Sequence, residues 1–185
     1  MLTHKRMIGL NKWIDRIDPV NQKALCTLYQ KEAERIIRSP GSTYNHQVWP
    51  GGYLDHMIGM LEYADRQYFG CGLDLPFELG DAVLVILLHD IEKPFKYVDR
   101  PKGTQCEFNS PFEIKKFVLT LLLEYRFKLT EMHLNALQYA HGEGDDYRPD
   151  KRVMNELAAF LHACDIWSAR IEYNRRILSE LRDED

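Results

Sequence analysis

Hydrophobic positions recur at helical spacing through most of the chain. Leu25, Leu28, Tyr29, Ile36 and Ile37 are interleaved with charges, predicting a helix from Pro19 to about Arg38. Ser39-Pro40-Gly41-Ser42 ends it, and a loop follows through Trp49-Pro50-Gly51-Gly52. Leu54, Met57, Ile58, Leu61, Ala64 and Tyr68 then mark an amphipathic helix closed by Gly70 and Gly72. Asp81 to Ile91 is apolar on every side until His89-Asp90, which predicts a central buried helix, with a buried strand as the alternative. Pro94 is expected to stop it, and Arg100 to Ser110, with Pro101 and Gly103, reads as a connecting loop. Helices resume over Pro111–Tyr125 and Thr130–Tyr139 and pause at His141-Gly142-Glu143-Gly144. A last helix runs from about Asp150 to Leu181, with Val153, Leu157, Phe160, Cys164, Trp167, Ile171 and Leu178 on one stripe. Repeats, low-complexity tracts and an interdomain linker are lacking, so the expectation is one all-α domain over 1–185.

Composition narrows the function more than the fold. With 24 Lys+Arg against 28 Asp+Glu, the net charge of −4 makes long nucleic acid a poor partner. The longest apolar run, Ala82 to Leu88, falls far short of the roughly 18 residues a membrane span needs. The N-terminus lacks an apolar signal core, and the expected location is cytoplasmic. Cys26, Cys71, Cys106 and Cys164 form no CxxC pair, so they read as incidental or buried thiols rather than ligands.

Four polar residues sit awkwardly in this pattern. His56 lies off the apolar stripe of its helix, where a solvated imidazole is the simple alternative to a ligand. His89-Asp90 ends the most apolar segment, where an unpaired carboxylate is costly. Asp165, at the edge of the last stripe, wants a cation, either a metal or a basic neighbour such as Arg170. Together they offer two imidazoles and two carboxylates from three helices, a set that suits one divalent ion with positions left for water and substrate.

The order of these motifs resembles the HD-domain phosphohydrolase superfamily. The matching segments are Pro50-Gly51-Gly52-Tyr53-Leu54-Asp55-His56, Leu87-Leu88-His89-Asp90-Ile91-Glu92-Lys93 and Ala163-Cys164-Asp165-Ile166-Trp167-Ser168-Ala169. They span a motif-bearing core of 50–169, preceded by a helical lead-in, 1–38. The stretch from Ile17 to His46 is similar to the lead-in of the bacterial HD 3′–5′ exoribonuclease branch. The resemblance implies an all-α HD bundle holding a divalent metal through His56, His89, Asp90 and Asp165. Mn, Fe, Co, Ni, Zn and Mg all fit such ligands.

It further implies that Asp90 orients the attacking water and that Lys93 and His141 steady the phosphate. Lys93 as a solvated lysine favoured by the helix end is an equal alternative. His133 and His141 are candidates for a second metal site, although Ala140 stands where the exoribonuclease pattern has a histidine. His46 is a possible site-lining residue, and His4 and His162 read as structural or exposed. Glu92 replaces the usual glycine of Ile-Gly-Lys and adds negative charge at the mouth. The loops Tyr44–Trp49 and Cys106–Ser110 are expected to read the rest of the substrate.

The implied activity is metal-dependent hydrolysis of a phosphoester or phosphoanhydride in a small nucleotide. One alternative is a 3′–5′ exonuclease on short single strands. The other is a non-catalytic nucleotide-binding module, since fold alone does not fix function.

Overall fold

The computed structural model describes residues 1–42, 46–100, 103–106, 108 and 110–173. It is an all-α bundle with one small β-hairpin. Short turns lead into α1 (Asn11–Ile14), then α2 (Pro19–Lys31) and α3 (Ala33–Arg38). Asp18 caps α2 by accepting from the Val20 and Asn21 amides, with Pro19 in the first turn where its missing N–H costs nothing. The single helix expected over this stretch is in fact broken at Glu32, where the backbone leaves the helical region.

α4 (Gly52–Gly70) and α5 (Leu79–Leu88) form the centre of the bundle. Nine of the ten α5 residues are buried, which settles its all-round apolar pattern as a core helix and not a strand. At its N-terminus, a Cβ on Gly80 would lie 2.1 Å from the Arg16 carbonyl oxygen, so only glycine lets the lead-in approach this closely. Leu10, Trp13 and Ile14 from the lead-in thus share one core with α4, α5 and the later helices.

Pro94 does not end a segment. It lies inside a short helix, α6 (Lys93–Lys96), entered by a turn through His89–Glu92. Part of the expected loop is an antiparallel hairpin, β1 (Tyr97–Arg100) with β2 (Gly103–Cys106), in the register Tyr97 opposite Cys106 and Arg100 opposite Gly103. Helices α7 (Pro111–Glu124) and α8 (Glu131–Gln138) follow, capped by Ser110 and Thr130.

The last helix, α9 (Glu156–Ile166), begins later than its stripe indicates. An Arg148–Lys151 bridge occupies the expected start, and the Asn155 side chain accepts from the Ala158 amide as the cap. Beyond α9 the chain passes into a π-helical turn, Trp167–Glu172. The remainder of that prediction, including Leu178, lies outside the described residues. None of the described helices is long and apolar enough to cross a membrane.

Candidate metal centre

α4 and the C-terminal end of α5 converge to bring His56, His89 and Asp90 together. Gly51, at φ +89°, makes the left-handed turn into α4, and Gly52 sits so close to the Gln47 carbonyl that a Cβ there would be 1.9 Å from its oxygen. One turn further, His56 points into the bundle and is fully buried. Its position off the apolar stripe does not expose it, because the π-helical turn covers that side through Ser168. His89 caps the C-terminus of α5, and Asp90 follows it, 1% exposed. One ligand atom from each of the three residues lies within 4.8 Å of the others.

The hydrogen bonds behind these imidazoles decide which nitrogen faces inward. His89 Nδ1 is 2.8 Å from the Ile86 carbonyl, which can only accept, so Nδ1 carries the proton. The Ser168 hydroxyl donates to the His56 carbonyl at 3.2 Å and lies 3.0 Å from His56 Nδ1, where it accepts. Both Nε2 atoms therefore present lone pairs to the centre, the arrangement that outer partners impose on metal-binding histidines.

His56 Nε2, His89 Nε2 and Asp90 Oδ2 are all buried; neither imidazole nitrogen has a hydrogen bond, and Oδ2 is met by the Lys93 ammonium. Yet His89 Nε2 is 3.1 Å from Asp90 Oδ2, and His56 Nε2 is 3.2 Å from Asp165 Oδ1. Lone pairs facing a carboxylate need a positive charge between them. Burial pulls the pKa of His56 down to about 4, despite Asp165, so this ring is neutral at ordinary pH. For His89, burial acts in the same direction and is the largest single influence, but the Asp90 carboxylate, the Asp165 charge and the Ile86 carbonyl together outweigh it and the pKa is raised. A proton on His89 or a divalent cation among all three groups would satisfy the cluster, and the donor set fits a borderline metal.

Asp90 is burdened by desolvation, yet the His89 and Lys93 charges hold it well below the usual carboxylate range. Lys93 Nζ lies 2.5 Å from Oδ2 as an ion pair, so this lysine is turned into the site and not solvated. Asp165, on α9, is only 14% exposed at its side chain and reaches the cluster from one side through His56. His141 stands at the rim, two-thirds exposed, with Nε2 3.6 Å from Asp90 Oδ1 and 4.0 Å from Asp165 Oδ2. Its bond to Asp90 raises its pKa.

The structure does not bring His133 to this centre. His133 Nε2 is 2.9 Å from Asp81 Oδ1 at the opposite end of α5, and its Nδ1 accepts from the Thr130 amide in the cap of α8. With that nitrogen engaged and the residue 4% exposed, His133 is not in the cluster of metal-ligand groups found among the described residues. Its signature was local: Thr130 stands three residues before His133, the spacing of a capping pair.

Other residues surround the centre, His46 among those the sequence offered, Gln47 and Ser168 not. His46 is beside the centre, its ring 4.8 Å from that of His56. Gln47, at φ +42°, joins His46 Nδ1 to the Ser168 carbonyl. His162 donates from Nδ1 to the Ala140 carbonyl at 2.9 Å and supports Gly142, so it anchors the loop that presents His141. Ser168, three residues after Asp165, lies one turn along the same helical stretch, which was the available signal for it.

Glu92 is half-buried and lines a groove at its His89 end, where burial and then the Asp90 charge raise its pKa to about 6. Of the loops expected to contact substrate, Tyr44, Asn45, Glu107 and Asn109 lie outside the described residues. Cys26 and Cys164 are buried and Cys71 is exposed, none in the metal-ligand cluster.

No protein-family profile, curated protein or solved structure matches this chain.

Proposed function

We propose that the protein is a metal-dependent phosphohydrolase acting on a phosphoester or phosphoanhydride of a small nucleotide, as its resemblance to HD-domain enzymes implies. The carrying observation is the convergence of three buried ligand atoms, His56 Nε2, His89 Nε2 and Asp90 Oδ2, within 4.8 Å of one another, with neither imidazole nitrogen hydrogen-bonded. His56, His89 and Asp90 would hold the ion, with Asp165 completing the set beside His56. A bound cation supplies charge to a phosphoryl oxygen and lowers the pKa of its water.

The protein's own groups then divide the work. Asp90 keeps Oδ2 on the ligand side and Oδ1 toward His141, so it stays ionised and can orient a water between them. His141, whose raised pKa favours the imidazolium, offers a donor to a phosphate oxygen from the rim. Lys93 adds a second positive charge beside the same carboxylate. Burial of Lys93 and Asp90 keeps their charges in a poorly solvated environment, where they act more strongly on a developing phosphoryl charge than the exposed His141 does.

The test is phosphate release across mononucleotides, cyclic nucleotides and short oligonucleotides with defined divalent ions. Turnover is expected on mononucleotides and is lost together with bound metal in His89→Ala and Asp90→Ala. Preference for longer strands with steep salt dependence would identify an exonuclease instead. Nucleotide binding without turnover across several metals would identify a binding module.

A further inference from the structure

A groove of about 520 Å³ opens from the His89 and His141 side of the metal centre and continues between α7 and α8. One wall is a single helical face of α7, with Ile114, Val118 and Leu122 at spacings of four residues and Leu119 beside Val118. The facing wall comes from Leu134 and Leu137 of α8, and Leu88 of α5 contributes to the lining near the centre. Pro111 to Leu122 line it along α7, which at helical rise is about 16 Å of wall.

Polar groups are few. Glu92 stands at the His89 end, Lys115 and Gln138 at the edges, so apart from the histidines the formal charges of Glu92 and Lys115 cancel. Leu119 and Leu134 are 47% and 46% exposed although they sit on the two walls. The volume is in the range of small-molecule sites.

On the reading that the centre hydrolyses a phosphoester, we infer that this groove takes the nucleobase of a nucleoside monophosphate. A phosphate placed between His89 and His141 leaves its organic half nowhere to go but outward or along this groove. Two apolar walls suit the faces of a flat, uncharged ring. The exposed Gln138 amide lines the same groove and offers both a donor and an acceptor to ring nitrogens and exocyclic groups. A polyphosphate tail is unsuited, because Lys115 is the only lysine or arginine among the described residues lining the groove.

The experiment compares binding of the four nucleoside 5′-monophosphates, ribose 5-phosphate, octyl phosphate and inorganic phosphate by calorimetry. The protein is metal-loaded wild type, Leu119→Trp or Leu134→Trp. These variants fill the groove from opposite walls at side chains that are already half exposed. At least one nucleoside monophosphate is expected to bind tenfold or more tightly than ribose 5-phosphate. Each tryptophan should shrink that ratio at least fivefold while leaving ribose 5-phosphate affinity and metal content unchanged.

Equal binding of nucleotide and sugar phosphate, or weakening of both alike by tryptophan, overturns the assignment. Tightest binding of octyl phosphate also overturns it, in favour of a chain-binding groove. The hydrolytic reading fails separately: base-dependent binding without phosphate release under any metal removes the activity and keeps the groove. Turnover of sugar phosphate and nucleotide at equal efficiency does the reverse.

Discussion

Replacing Ser168 by alanine removes one hydroxyl and tests whether the orientation of His56 matters to the centre. The hydroxyl accepts from His56 Nδ1 at 3.0 Å and donates to the His56 carbonyl at 3.2 Å, and the residue is fully buried. In Ser168→Ala the buried Nδ1–H and the carbonyl lose these partners. Leaving a buried polar group unsatisfied costs about 1–3 kcal/mol. At roughly 2–4 °C per kcal/mol for a chain of this size, the metal-free protein should melt several degrees lower.

The second consequence is specific to a metal centre. Without its outer partner the imidazole is free to rotate or change tautomer, and such losses typically weaken metal affinity by about 10–100-fold. The assay is a competition titration with a chelating dye, alongside thermal melts with and without metal. Ser168→Cys, which keeps a weak acceptor near the same place, should recover part of the affinity. A lower melting temperature with unchanged metal affinity would refute the reasoning and reduce Ser168 to a packing residue.

Three further outcomes follow from named contacts. His133→Ala, which breaks the 2.9 Å contact to Asp81, should cost about 1–3 kcal/mol in a denaturant melt yet leave metal stoichiometry unchanged. Loss of bound metal in that variant would restore His133 as a ligand. Gly52→Ala forces a Cβ against the Gln47 backbone and should destabilise by about 1–3 kcal/mol, whereas Gly70→Ala, with nothing within 4 Å, should be neutral or slightly stabilising. Equal melting temperatures for the two variants would contradict the close approach at the entry to α4. Metal affinity should fall as pH falls through the raised pKa of His89, because the proton and the cation compete for Nε2, and should level off above it. A calorimetric titration showing pH-independent affinity between pH 5 and 8 would contradict this.

The sequence made the helices legible where apolar spacing was regular and long, as in α4 and α5. It misled where a local backbone event intervened: the break at Glu32, the short helix around Pro94, and the Arg148–Lys151 bridge ahead of α9. The hairpin at Tyr97–Cys106 has strands of four residues, too short for alternation to register beside Pro101 and Gly103. At the site, His56, His89, Asp90 and Asp165 were visible as polar residues misplaced in apolar helices, and the structure brings all four into contact range. Their supporting partners were not visible. Ser168 acts across 112 positions of sequence and Gln47 across 121, and no local pattern encodes such pairings. His133 failed as a ligand for the opposite reason, because its role is local capping plus a contact 52 residues away.

The central claim is that the buried histidine–aspartate cluster binds a divalent ion that is needed for phosphate-ester hydrolysis. Elemental analysis of wild type and Asp90→Ala, measured beside nucleotide hydrolysis before and after chelation, tests it most directly. One divalent ion per wild-type chain is expected, none in Asp90→Ala, and turnover that disappears with chelator and returns with metal. Full hydrolysis by metal-free protein in excess chelator would contradict it.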